Sequence, residues 1–228
     1  MRQLCSLLAA LWLGLSGASA RAGEVTIGFD FTGSTISLLG GILTIPPGGT
    51  ITAASGNATF LATGLTQISA GPARLEALDV AATIDQNVLG QAYVTGNILA
   101  QQLAGPTWGQ LSAGLGNAVF SNILLNVDVD AACTGIGCPF IGTFPINIAG
   151  NFTVSNLNAA LGNLATLSAA TLMANVPITL SGFSGVLNLV GSEVSRSFSP
   201  VPEPGTFGAL SLGLVALAFV ARAARRTR

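Results

Sequence analysis

The stretch "VTIGFDF", residues 25–31, decides the class of fold. Val25, Ile27, Phe29 and Phe31 alternate with Thr26, Gly28 and Asp30. In an extended chain successive side chains leave on opposite faces, so this alternation places four apolar groups on one side of a half-buried strand. The same period recurs in "ILLNVDVD" (123–130), "FPINIAGNFTV" (144–154) and "VPITLSGFSGVLNLV" (176–190). Turn residues punctuate the chain densely, at Pro46-Pro47-Gly48-Gly49, Ser55-Gly56-Asn57, Gly71-Pro72 and Gly105-Pro106. Short strands and close turns predict a mainly β body, an antiparallel β-sandwich or roll. A β-solenoid is the alternative, although no fixed repeat length supports it. Two segments, "ARLEALDVAATI" (73–84) and "NLNAALGNLATLSAATLMA" (156–174), fit a helix equally well, because Ala and Leu favour helix.

Composition narrows the class further. The chain has 228 residues, 50% of them hydrophobic and only 7% charged, with 29 glycines. These values suit one domain between targeting segments, here residues 21–199. They exclude disorder, which requires few apolar residues and much charge. Between the ends no apolar run approaches the roughly 18 residues of a membrane span. The exported body is long enough to bury a core, with Phe29, Phe31, Phe60, Phe120, Phe152 and Phe183 as its expected members. From residue 21 to 200 three arginines face eight acidic residues, a balance of −5. A nucleic-acid partner needs a basic face to neutralise phosphates, so that class is excluded.

The N-terminal "MRQLCSLLAALWLGLSGASA" has the three parts of a secretory signal peptide over residues 1–20. Arg2 supplies the positive charge, Leu4 to Leu15 the apolar region, and Ala18 and Ala20 the cleavage motif. Cys5 leaves with it. At the other end, Gly205 to Ala221 is apolar throughout and spans roughly 25 Å as a helix at 1.5 Å per residue. A transmembrane helix is therefore expected at about 205–221, stopped on the cytoplasmic side by Arg222, Arg225, Arg226 and Arg228. Pro202 and Pro204 prevent the helix from running back into the body and leave Glu203 extended before the membrane.

This order, Val201-Pro202-Glu203-Pro204, then an apolar run, then an arginine cluster, resembles the PEP-CTERM sorting signal of Gram-negative bacteria. The resemblance covers residues 200–228 alone. It implies that a membrane-embedded exosortase is the partner that recognises Pro202, Glu203 and Pro204 and removes the tail. The inner membrane then holds the chain only before processing, and the body ends at the cell surface or outside it. It also implies a link to exopolysaccharide and biofilm, hence a structural or adhesive role, with a polysaccharide- or calcium-binding module as the alternative.

Within the body, Cys133 and Cys138 of "CTGIGC" are the only cysteines, and an even pair in an oxidising compartment reads as a disulfide. The chain has no histidine and no lysine, which excludes Ser-His-Asp and Cys-His catalysis, histidine-held metals and a lysine-bearing phosphate loop. No cofactor is expected. Asn126, Asp128 and Asp130 share one face of a strand and are the candidates for Ca²⁺, although they lack the glycine-spaced loop of a calcium hand. Glu76, Asp79 and Asp85 are the carboxylates from which a glycosidase pair would have to come. Trp108 and Tyr93 are the body's only Trp and Tyr, few platforms for a sugar-processing cleft. Thr50-Ile51-Thr52 is a single T-x-T where an ice-binding face needs ranks of them, and Asn57 and Asn151 head N-x-T patterns with no meaning in a bacterium. The body is expected to be no enzyme.

Overall fold

The computed structural model describes residues 23–200, apart from Leu89, Ala104, Ser181 and Gly182. The expected signal peptide, transmembrane helix, sorting motif and arginine cluster lie outside the described residues. The chain forms β1 (Gly23–Asp30), β2 (Thr35–Leu38), β3 (Leu43–Ile45), β4 (Gly49–Ala62), β5 (Ile68–Val88) and β6 (Ala92–Gln102). It continues through β7 (Thr107–Leu111), β8 (Asn117–Thr134), one turn of helix α1 (Cys138–Ile141), β9 (Ile146–Gly162), β10 (Thr171–Leu180) and β11 (Phe183–Pro200). Among the described residues no helix is long and apolar enough to cross a membrane.

All eleven strands belong to one sheet, ten of them in the order β1-β4-β5-β6-β8-β9-β10-β11-β2-β3, with β7 pairing β5 and β8. A sandwich requires two separately bonded sheets, so that expectation is corrected while the antiparallel, mainly β reading holds. The solenoid alternative falls as well, because the ladders are antiparallel and join distant parts of the chain. β1 pairs with β11 as well as β4, so the pairing path returns to its start. One face of the sheet is thereby turned inward, and every strand must be apolar on that face alone.

The alternation in residues 25–31 serves this purpose: Val25, Ile27, Phe29 and Phe31 are all buried, with at most 1% exposure. Phe60 and Phe120 join them, Phe152 packs half-buried against the same core, and the Phe183 side chain lies outside the described residues. The two expected helices are strands. Residues 73–84 lie in β5, and residues 156–174 form the end of β9, a turn and the start of β10. The physical reason in β5 is a register shift against β4: Asn57 faces Ala77, and Ala58 faces Leu75. This bulge at Glu76 changes the phase of alternation, so buried Leu75 and Leu78 stand three apart and imitate a helical spacing.

Two expected turns are also strand interior. Ser55-Gly56-Asn57 lies within β4, where a Cβ on Gly56 would come 2.8 Å from the Ala77 carbonyl oxygen and the Phe31 ring. That glycine marks a close approach of neighbours, not a reversal. Gly71-Pro72 lies within β5, where the ladder to β4 jumps from Ala73 to Ile68 and Pro72 stands opposite Gln110 of β7. The turns at residues 46–48 and 105–106 fall between strands as expected.

Candidate functional site

Where β6 ends, the chain loops out for four residues, 103–106, and returns as β7 on the same line between β5 and β8. Both segments run antiparallel to both neighbours: Asp79 faces Gln101 beyond the break, and Leu75 faces Thr107 before it. Opposite the break, β8 keeps its register with β9 but has one irregular residue. Ser121 pairs with Asn156 and Ile123 with Val154, while Asn122 between them turns to a left-handed φ of 59°. With the bulge at Glu76 in β5, three adjacent strands are irregular at one level. Such defects re-aim side chains and open the sheet surface.

The result is an open surface groove of about 470 Å³ lined by residues 105–108 with Ser121, Asn122 and Leu124. Trp108 stands in it with 61% exposure. The indole is braced from β5: the Arg74 guanidinium carbon lies 5.4 Å from its ring centroid, a cation–π contact. Arg74 is itself held by Glu24 at 2.5 Å and Glu76 at 3.2 Å. Gln102 holds the loop. Its Nε2 donates to the Leu75 and Gly105 carbonyls and to Thr107 Oγ1, while its buried Oε1 has no partner among the described residues.

The residues expected to carry chemistry are dispersed over the outer surface of the sheet. Asn126, Asp128 and Asp130 share the outer face of β8, as read from the sequence. Their cross-strand neighbours are Gln101 and Asn151, Leu99 and Ala149, and Asn97 and Asn147, respectively. Among the described residues no three Asp, Glu, His or Cys side chains converge as a metal set. Glu76 is occupied by Arg74. Asp79 and Asp85 are six residues apart on β5, about 20 Å along a strand and well beyond the roughly 10 Å limit of a glycosidase carboxylate pair. Asp85 instead accepts a hydrogen bond from the Tyr93 hydroxyl, and this bond, the Asp85 charge and slight desolvation raise the phenol above its ordinary range. Thr50 bonds Thr83 at 2.9 Å and Thr52 donates to the Ala81 carbonyl at 3.1 Å, so their hydroxyls are engaged within the sheet.

Cys133 and Cys138 form a disulfide, with sulfurs 2.00 Å apart, that closes the loop leading into α1. Ile136 and Phe140 project from this segment, 81% and 86% exposed. Near the other end of β11, Arg196 grips Glu193 with two nitrogens at 2.7 Å. Sequence reasoning singled out neither this pair nor the groove. The signal for the groove was Trp108 two residues after Gly105-Pro106, an aromatic beside a strand break.

Fold and groove together define a β body of one antiparallel sheet with an open, partly polar recess at a strand break. Residues 200–226, beginning where β11 ends, match the PEP-CTERM protein-sorting motif. The chain therefore carries this sorting signal, which implies export and sorting to the cell surface with an exosortase as the recognising enzyme. No curated protein and no solved structure matches the chain.

Proposed function

We propose that the chain is a secreted, exosortase-sorted protein whose body, freed of its tail, is a structural or adhesive component of the extracellular matrix associated with exopolysaccharide. The observation that carries this reading is the position of the sorting motif. It begins at residue 200, the last residue of β11, and the anchors of that strand lie upstream at Glu193 and Arg196. Removal of the tail takes at most the last residue, Pro200, from β11 and no residue from any other strand, as a released building element requires. The signal peptide over residues 1–20 and the transient membrane helix belong to the same delivery scheme. The body needs no catalytic apparatus for this role. The alternative, a polysaccharide-binding module, is favoured by the groove at Trp108 and differs from the first reading in degree, since an adhesive must bind its matrix.

Fractionation of an exosortase-bearing host tests the proposal. The body should be recovered from the matrix fraction, and deletion of its gene should reduce matrix cohesion. Deletion of the exosortase gene should move the protein to the membrane fraction. Recovery of the body from the periplasm of the wild type, with an unchanged matrix on deletion, overturns it.

A further inference from the structure

We infer that the groove at the β6–β7 break binds a neutral saccharide chain, with one pyranose ring stacked on Trp108; this rests on the matrix reading above and gives it a site. Four observations carry it. First, Trp108 presents a flat π face to an open recess, and Arg74, fixed by Glu24 and Glu76, holds the ring in place. An aromatic face is electron-rich and complements the outward C–H bonds of a sugar ring. Because the ring is already ordered, binding costs little side-chain entropy.

Second, the rest of the lining is neutral and polar. Thr107 Oγ1 accepts from Gln102 and keeps its O–H to donate, Ser121 Oγ donates to Asn156 at 3.3 Å and keeps lone pairs to accept, and the Asn122 amide can do both, as sugar hydroxyls do. Asn122 makes no side-chain hydrogen bond among the described residues, and its left-handed backbone at φ 59° is a conformation Asn tolerates better than most residues. Backbone irregularity of this kind accumulates at ligand clamps.

Third, charge selects among ligands that stack on tryptophan. A nucleotide brings phosphates, for which the body, at −5, has no basic patch. A purely apolar ligand needs an enclosed apolar pocket, and this recess is open and partly polar. No charged side chain lines the groove; the one cation beside it, Arg74, is shared between two carboxylates, Glu24 and Glu76, and Asp79 and Asp128 on the surrounding strands add further negative charge. That setting accepts a neutral hexose polymer and repels one made of uronic acids.

Fourth, the surface continues the site. Four residues along β8 from Asn122, about 13 Å at strand spacing, Asn126 stands between Gln101 and Asn151. These three amides form no side-chain hydrogen bond with other described residues, and they offer the next units of a chain lying along β8 both donors and acceptors.

The test uses the full-length chain in detergent with Trp12→Phe, which makes Trp108 the only tryptophan. It is titrated with cellohexaose, laminarihexaose and mannohexaose as neutral probes and with hexagalacturonate as the acidic one. At least one neutral hexasaccharide should change the Trp108 fluorescence saturably, and hexagalacturonate should not. Calorimetry with that probe should show Trp108→Ala weakening binding by about tenfold, the loss of a stacking contact, with Trp108→Phe retaining most of the affinity. Circular dichroism melting checks that the exposed-site variants stay folded. If no neutral probe alters the fluorescence, if binding is undiminished in Trp108→Ala, or if only hexagalacturonate binds, the inference is overturned. Those outcomes leave the matrix reading standing, since fractionation alone decides it.

Discussion

Glu193 and Arg196, three residues apart on β11, form a two-point ion pair of which only 12% and 11% of the side chains remain exposed. The remaining donors of Arg196 reach the carbonyls of Leu65, Leu164 and Thr166, while Glu193 accepts the Ala170 N–H at 2.7 Å. One residue pair thus ties the last strand to the loop after β4 and to the loop after β9, just upstream of the sorting motif. Arg196→Ala would leave a largely covered carboxylate without its partner and three carbonyls without donors. The expected cost is about 3 kcal/mol, read from the urea midpoint at constant slope. Arg196→Lys should recover little of it, because one ammonium cannot serve two carboxylate oxygens and three carbonyls in this planar arrangement.

The same pair gives the body an acid limit. Burial works against the Glu193 carboxylate, but the hydrogen bonds from Arg196 and Ala170 and the Arg196 charge outweigh it and hold the group below its ordinary range. A carboxylate with a lowered folded-state pKa contributes stability that is complete above its unfolded value, about 4.3, and lost as pH falls through the folded one. Urea midpoints of wild type and Glu193→Gln should therefore differ most near neutrality and converge below about pH 4. A difference that stays constant across this range would show that the carboxylate charge contributes nothing.

Tyr93 is the only tyrosine in the chain, so its titration can be followed without interference from another. Its hydrogen bond to Asp85, joined by the charge of that carboxylate, raises its pKa. The absorbance change of tyrosinate should thus have its midpoint above 10, and Asp85→Asn, which removes the charge, should lower it. An unchanged midpoint in the variant would mean that the two side chains do not meet in solution.

The Cys133–Cys138 bridge closes a loop with a sequence separation of five. In the chain-entropy account so short a loop contributes about 2 kcal/mol. Thiol titration of the denatured, exported protein should find no free cysteine in the body, and the double Ser variant should be less stable by that amount. Two reactive thiols would show that the bridge does not form in the cell.

Much of this fold is legible in the sequence, since its inner face demands strict alternation. Val25, Ile27, Phe29 and Phe31 are buried as their spacing requires, as are Val127 and Val129 between the outward Asn126, Asp128 and Asp130. Legibility fails where the alternation is interrupted. The bulge at Glu76 makes Leu75 and Leu78 look helical, and glycine at 56 serves close packing where the composition suggests a turn. Closure of the sheet through β1 and β11 joins the two ends of the body, and no local pattern records it. The candidate site was legible as a residue type but not as a place. Trp108 was visible, but its bracing depends on Arg74 and Glu24, which are 50 residues apart and meet only through the β1–β4–β5 order.

Delivery is the central claim, and Glu203 is its test. Proline disfavours helix at its own position and at the residue before it, and Glu203, between two prolines, is the one acidic group between the body and the apolar run. Wild type, Glu203→Ala and a truncation after Ser199 should be expressed in a host with exosortase, and membrane and medium fractions analysed by intact-mass spectrometry. The wild-type body should have lost its tail, Glu203→Ala should remain full-length and membrane-retained, and the truncated body should be released without processing. A Glu203→Ala protein processed like wild type would contradict the account, leaving the motif a spacer and the tail a plain anchor.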